Sequence, residues 1–386
     1  MKKLMKTLGV LLVAAVVVFF ALAPGYVERQ FNTMAVVSHR APTDTAIALH
    51  TNATIVDLHG DTLMWRRSIL RSSDRGHIDL PRLQQGNVAL QVLSSVTKSP
   101  KGLNYDRNTA DTDSLVALAI AQRQPVSTWY SPFERSLWHA RKLAYAVAED
   151  DRLMSVRTVS DIDTLLAARA SDATLVGGML SIEGLHNLEG DFENLQRLFD
   201  AGFRMAGITH FFDNELAGSM HGVAKSGLTD FGRRVVVEME RLGMIVDLAH
   251  LSPTAIDDVL ALVTKPVVVS HGGVQALCKV NRNLTDRQIR RIAATGGVIG
   301  IGYWAGAVCG TSPKEIAAAI KHVRDLVGID HVGLGSDFDG AVRVSFDTSQ
   351  IVLVTDALKQ AGFADNEIAA VLGGNALRLF RATLPR

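Results

Sequence analysis

His59 and Asp61 stand two residues apart in Val56-Asp57-Leu58-His59-Gly60-Asp61-Thr62, directly after the apolar run Thr54-Ile55-Val56. On an extended backbone, residues i and i+2 point the same way. The imidazole and the carboxylate therefore converge at one strand end, and together they make half of a zinc site. Alone, such a pair is more often a polar strand end capping a turn. The case rests on what stands after the other apolar runs. Ser181-Ile182-Glu183-Gly184, Thr209-His210, Asp247-Leu248-Ala249-His250, Ser270-His271-Gly272-Gly273 and Gly335-Ser336-Asp337-Phe338-Asp339-Gly340 all occupy such positions. Four of the 12 histidines fall there, beside carboxylates.

Imidazoles with carboxylates and no thiolates suit zinc ahead of manganese or another divalent ion. His59, Asp61, His250 and His271 are more ligands than one catalytic zinc uses. Two ions sharing a bridging carboxylate would employ them all, and Glu183 is the natural bridge. Two-metal hydrolytic sites hold their ions roughly 3.5–4 Å apart and lower the pKa of the water between them. Asp337 can orient that water and move its proton to the leaving group. Asp339 is the competing candidate for this task.

The elements that must position these residues are legible in the apolar pattern. Short apolar runs alternate with helical segments, as in βαβ units. Eight strands are expected at Thr54–Leu58, Val88–Val96, Leu175–Ile182, Met205–Thr209, Met244–Leu248, Pro266–Ser270, Gly297–Tyr303 and Val332–Gly335. Helices are expected at Asp191–Asp200, Thr229–Leu242, Ser252–Leu262, Thr285–Ala294 and Pro313–Val327; serine before proline opens two of them. This order specifies a (β/α)8 barrel, with a doubly wound sheet as the runner-up. In a barrel, all the strand ends above meet at one face, where barrel active sites lie. Residues 97 to 174 form a long excursion on that side, with helical patterns at Asp111–Ala121 and Glu134–Asp150.

The chain has 386 residues, 47% of them hydrophobic and 20% charged, enough for a large core. A net charge of +1 argues against a nucleic-acid partner. Lys2, Lys3 and Lys6 precede the apolar run Leu8–Ala23, so residues 1–24 read as a signal or anchor segment. Ala21-Leu22-Ala23 resembles a cleavage site, but Pro24 follows it and fits a protease subsite poorly, which favours an uncleaved anchor. The lysines stay cytoplasmic and the rest is exported, to the periplasmic or extracytoplasmic face of the membrane. Residues 25–50 read as a linker and 51–386 as the hydrolase barrel. An oxidising compartment permits a bond between Cys278 and Cys309, which sequence alone cannot pair. The oligomeric state is left open between monomer and homodimer.

Taken together, Asp57-Leu58-His59-Gly60-Asp61, Ile182-Glu183-Gly184, Gly243-Met244-Ile245-Val246-Asp247-Leu248-Ala249-His250, Pro266-Val267-Val268-Val269-Ser270-His271, Asn281-Arg282-Asn283-Leu284, Gly335-Ser336-Asp337-Phe338-Asp339-Gly340 and Gly374-Asn375-Ala376-Leu377 resemble the membrane (renal) dipeptidase family, peptidase family M19. The resemblance runs from about Thr54 to Phe380. It implies a zinc dipeptidase barrel in which His59, Asp61 and Glu183 hold one zinc and Glu183, His250 and His271 the other. It implies further that His210 binds the scissile region and that Arg282 holds the terminal carboxylate of a dipeptide. The stretch Thr209-His210-Phe211-Phe212-Asp213-Asn214 departs from the family's usual continuation after this histidine. The mammalian members carry a C-terminal lipid anchor; here the chain ends at Leu384-Pro385-Arg386, so the expected tether is N-terminal. Two other readings use the same residues: a binuclear zinc amidohydrolase acting on an N-acyl amino acid or lactam, and an inactive membrane-tethered binding protein. The intact ligand set argues against the last. No Gly-x-Ser-x-Gly, His-Glu-x-x-His or phosphate-loop motif offers another chemistry.

Overall fold

The computed structural model describes residues 1–386. Several strands are buried along their whole length without alternation, as in a parallel sheet covered on both faces. In chain order the strands are β1 (Thr33–Met34), β2 (Ile55–Asp57), β3 (Val88–Val96), β4 (Leu153–Ser155), β5 (Val176–Glu183), β6 (Phe203–Gly207), β7 (Ile245–Asp247), β8 (Val268–Gly272), β9 (Val298–Ile301), β10 (Val332–Leu334) and β11 (Arg343–Val344), and all but β1, β4 and β11 are buried throughout. The sheet order is β3-β2-β10-β9-β8-β7-β6-β5-β4, all parallel, and β3 also pairs with β5 from Leu90↔Gly177 to Val96↔Glu183. That pairing closes eight strands into a barrel and excludes the open doubly wound sheet. The eight closed strands are the eight expected from the apolar runs.

Met179, Ser181 and Glu183 alternate with Leu180 and Ile182, so they share one face of β5. That face is the barrel interior. Its lower part is filled by Val56, Leu90, Val92, Met179, Met205, Ile245, Val268 and Val298, with Phe380 of the last helix packed against the same cluster. A larger cluster joins the outer strand faces to the surrounding helices. Ser252, Thr229 and Thr285 cap their helices by accepting from the backbone N–H three residues on, which fixes where each helix leaves the site rim.

The excursion between β3 and β5 contains helices Leu115–Ala121 and Pro132–Glu149, near the expected positions, and also β4 and helix Val159–Arg169. β4 pairs with the first residues of β5, below β6. Cys278 and Cys309 are joined in a disulfide.

The N-terminal region differs most from the sequence expectation. Helix α1 runs unbroken from Lys2 to Phe31, straight through Pro24. Proline cannot donate to the carbonyl four residues back. Arg66 replaces the missing donor: its Nη1 lies 2.7 Å from Phe20 O. Residues 25–50 are therefore not a plain polar linker. They hold the last turns of α1, β1 paired with β11, and helix α2 (Asp44–Asn52). Glu28 is buried, with Arg67 Nε 2.6 Å and Arg75 Nε 2.8 Å from its two oxygens. Arg67 also pairs with buried Asp339 on the β10 loop. Breaking a buried pair costs about 3–5 kcal/mol because a charge is left unpaired. Arg67→Ala should therefore destabilise the barrel by about that amount, read as a lower denaturant midpoint. An unchanged midpoint would show that this network contributes nothing.

Candidate metal centre

The ligand candidates come from the C-terminal ends of six strands or the loops that follow them. His59 and Asp61 follow β2, Glu183 ends β5, His210 follows β6, His250 follows β7, His271 lies in β8 and Asp337 follows β10. All seven are buried. The carboxylate of Glu183 sits at the middle. Its Oε1 is 2.8 Å from His250 Nε2, 3.2 Å from His271 Nε2 and 3.6 Å from His210 Nε2. Its Oε2 faces the other way, 3.7 Å from His59 Nε2. His59 Nε2 is also 3.4 Å from Asp61 Oδ2 and 4.0 Å from Asp337 Oδ1. The structure thus brings together every sequence-derived ligand candidate, with one oxygen of Glu183 turned toward each half of the cluster.

The donor set fits divalent cations. His59 Nε2 and Asp61 Oδ1 are buried and make no hydrogen bond. Three triads, His59–Glu183–His271, Glu183–His210–His250 and His59–Asp61–Asp337, each bring their donor atoms within 4.8 Å of one another. Burial pushes the Asp337 carboxyl well above its ordinary value, and the charges of Asp61 and Glu183 add to the effect against His59 and Arg282. For Glu183 the same burial is outweighed by His210, His59 and the hydrogen bonds from His250 and His271, which hold it well below. A set of close, buried carboxylates is costly unless cations neutralise it.

Backbone conformation also marks a built site. His250 and Asp337 are both left-handed, at φ 65° and 59°, a strained state costing about 1–3 kcal/mol each. Gly340 meets the cluster so closely that a Cβ there would lie 2.0 Å from Asp337 Oδ1 and 2.7 Å from Asp61 Oδ2. Asp339 belongs elsewhere: it accepts from His77 N at 2.6 Å and pairs with Arg67.

Supporting residues went unnoticed in the sequence. Asp57 Oδ1 accepts from Ser336 N at 2.9 Å, tying β2 to the β10 loop. Asp247 Oδ1 accepts from Ala249 N at 3.0 Å and Ser270 N at 2.9 Å, tying β7 to β8. Their signal was positional, since each is the last strand residue before a histidine ligand candidate. Ser270 Oγ lies 2.9 Å from His271 Nδ1 and 3.3 Å from His59 Nδ1, a contact that sets the ring orientations.

Above the cluster opens a cavity of about 260 Å³, just below the usual range of ligand sites, roughly 300–1,000 Å³. Arg282 reaches it from the loop after β8. Only 2% exposed, it donates to His271 O at 2.7 Å, stacks 5.6 Å over Trp304, and forms no ion pair with any carboxylate of the chain. Burial lowers its pKa, opposed by Tyr105, Asp337 and Glu183. Such a guanidinium is ready for an anion from outside.

A parallel barrel with a histidine–carboxylate cluster at its C-terminal face is the architecture of metal-dependent hydrolases. Residues 43–384 match the family model described as membrane dipeptidase (peptidase family M19), and the chain belongs to that family. It is thus a metallo-dipeptidase by family. Dipeptidase verJ of Clonostachys rogersoniana is 29% identical, over 78% of this chain and 75% of its own length. Mouse dipeptidase 3 is 27% identical over 88% of this chain and 66% of its own. Among solved structures, a Rhodobacter sphaeroides metallopeptidase liganded with a phosphinate mimic of L-Ala-D-Ala superposes with TM-score 0.70 at 24% identity, covering 86% of this chain and 99% of that one. The probable dipeptidase PvdM of Pseudomonas aeruginosa gives 0.72 at 21%, covering 88% and 97%. At these identities the likeness establishes the fold.

Because Glu183 faces both halves of the cluster, Glu183→Gln should lower bound metal more than Asp337→Asn does. Metal analysis of the two purified variants beside the wild type checks this order, and equal metal loss would show that Glu183 does not serve both halves.

Proposed function

We propose that the protein is a two-zinc dipeptidase acting on dipeptides with a free C-terminal carboxylate. His59, Asp61 and Glu183 would hold one ion, and Glu183, His250 and His271 the other. The observation that carries the reading is the pairing of a bifacial Glu183 with an unpaired, buried Arg282 across one small cavity. When bound, the ions would polarise the scissile carbonyl and lower the pKa of a water at the site.

The remaining work falls to the chain's own groups. Arg282 grips the substrate carboxylate through two parallel N–H donors, a fork that lysine lacks. His210 is the group assigned to the scissile region, beside Glu183. Asp337 takes the proton of the attacking water and delivers it to the leaving amine. The site walls exclude bulk water and hold the reactants in register. The same residues could act on an N-acyl amino acid or a lactam, and no feature of the cavity favours these over a dipeptide.

Chelation should abolish dipeptide hydrolysis and zinc should restore it. Arg282→Lys should lower kcat/KM for dipeptides by at least about tenfold, or 1.4 kcal/mol, with metal content unchanged. Dipeptide amides should be poor substrates of the wild type. Equal turnover of a dipeptide and its amide would remove Arg282 from this role, while hydrolysis of N-acyl amino acids alone would replace the dipeptidase reading.

We further propose export, with residues 1–24 as a membrane anchor, 51–386 as the catalytic barrel and the intervening stretch as the junction. The apolar face of α1 from Leu8 to Ala23 is largely exposed, which suits lipid. A periplasmic reporter fused after Arg386 should be active and the protein should sediment with membranes. A soluble product with a mature N-terminus near residue 24 would establish a cleaved signal instead.

A further inference from the structure

The cavity over the metal cluster has one polar and one apolar side. In the closed strand order, β3 lies four strands from β8 in either direction, so Val96 at the end of β3 stands across the barrel from Arg282 on the β8 loop. Around Val96 the wall is apolar. Met64, Trp65 and Val96 form a buried cluster, and Leu115, Leu118 and Val27 pack against it. Val27 belongs to α1. Phe31, four residues on and therefore on the same helix face, also lines the cavity and is 54% exposed overall.

The last turns of α1 are fastened in this place. Glu28 is locked to Arg67 and Arg75, Arg67 reaches Asp339 on the loop that carries Asp337, and Asn32 Oδ1 accepts from Ala341 N at 2.9 Å. The family match begins at residue 43, so Val27 and Phe31 lie outside the matched residues.

We propose that Val27 and Phe31, at the end of the anchor helix, form the outer wall of an apolar subsite for the side chain of the substrate's amino-terminal residue, and so set specificity. The inference rests on the dipeptidase reading. If Arg282 holds the carboxylate, the amino-terminal residue extends to the opposite side of the cavity, which is this wall. Phe31 is half-exposed in the free protein, and its face on the cavity gains an apolar partner when such a side chain enters. Large apolar amino-terminal residues are therefore favoured over glycine.

The test uses the full-length protein in detergent, with zinc, on Gly-Ala, Leu-Ala and Phe-Ala and on the converse series Ala-Gly and Ala-Leu. The wild type should prefer Leu-Ala to Gly-Ala. The double substitution Val27→Ala with Phe31→Ala should shrink that preference by about tenfold in kcat/KM, the order a few methylenes are worth in an apolar pocket. Val27→Phe, which narrows the same space, should depress Phe-Ala relative to Gly-Ala. Neither variant should alter the ratio of Ala-Leu to Ala-Gly. A merely structural role would lower all substrates alike and leave every ratio in place; that result, or a wild type preferring Gly-Ala, overturns the proposal. A wild type inactive on every dipeptide overturns the dipeptidase reading and this one with it.

Discussion

The constraint on which the site depends is the burial of Glu183 among four histidines and two further carboxylates. Charges that close in a dry interior are tolerable only when each has a partner of opposite sign. The two oxygens of Glu183 divide the cluster, one toward His250, His271 and His210, the other toward His59. Such an arrangement is poorly stabilised by the protein alone, as the unpartnered His59 Nε2 and Asp61 Oδ1 indicate. Cations bound there would neutralise it, and their binding would then add to the stability of the folded centre.

Holding this cluster together requires a rigid frame. The parallel barrel provides it, because every strand is buried on both faces and hydrogen-bonded on both edges. Asp57 and Asp247 then stitch adjacent strand ends through backbone amides. The frame is stiff enough to keep His250 and Asp337 in left-handed backbone states. Strain of that kind persists only where the surroundings over-determine it, and here it aims two side chains inward.

The N-terminal helix links the site to the proposed anchor. Its apolar part projects from the barrel, while its last turns are tied by ion pairs to the loop that carries Asp337. About 12 Å of helix separates Ala23 from Phe31 at 1.5 Å per residue. With the proposed anchor in a bilayer, the mouth of the cavity would lie close to the membrane surface. The junction is then neither a flexible tether nor a separate domain, since Val27 packs into the wall of the cavity.

Much of the fold and the candidate site was legible in the amino-acid order, for a local reason. Buried parallel strands are short apolar runs, and the residue ending each run must lie at the C-terminal rim if the runs form a barrel. His59, Glu183, His250, His271 and Asp337 could therefore be grouped before any contact was known. Local pattern favoured Asp337 over Asp339, two residues apart with the same chemistry, but could not show what Asp339 does instead. Arg67, His77 and Ile78 engage Asp339, and they are brought there by tertiary packing. The two-residue strands β1 and β11 have no local signal, because pairing with each other is what orders them. The same holds for α1 across Pro24. Proline ends a helix when its orphaned carbonyl has no partner, and the partner here, Arg66, comes from beyond β2. The amino-acid sequence alone thus determined the barrel and the chemistry at its rim. Only the folded chain decided which carboxylates are engaged in structure, that the two cysteines join, and that the end of helix α1 becomes a wall of the cavity, because each depends on groups far apart in sequence.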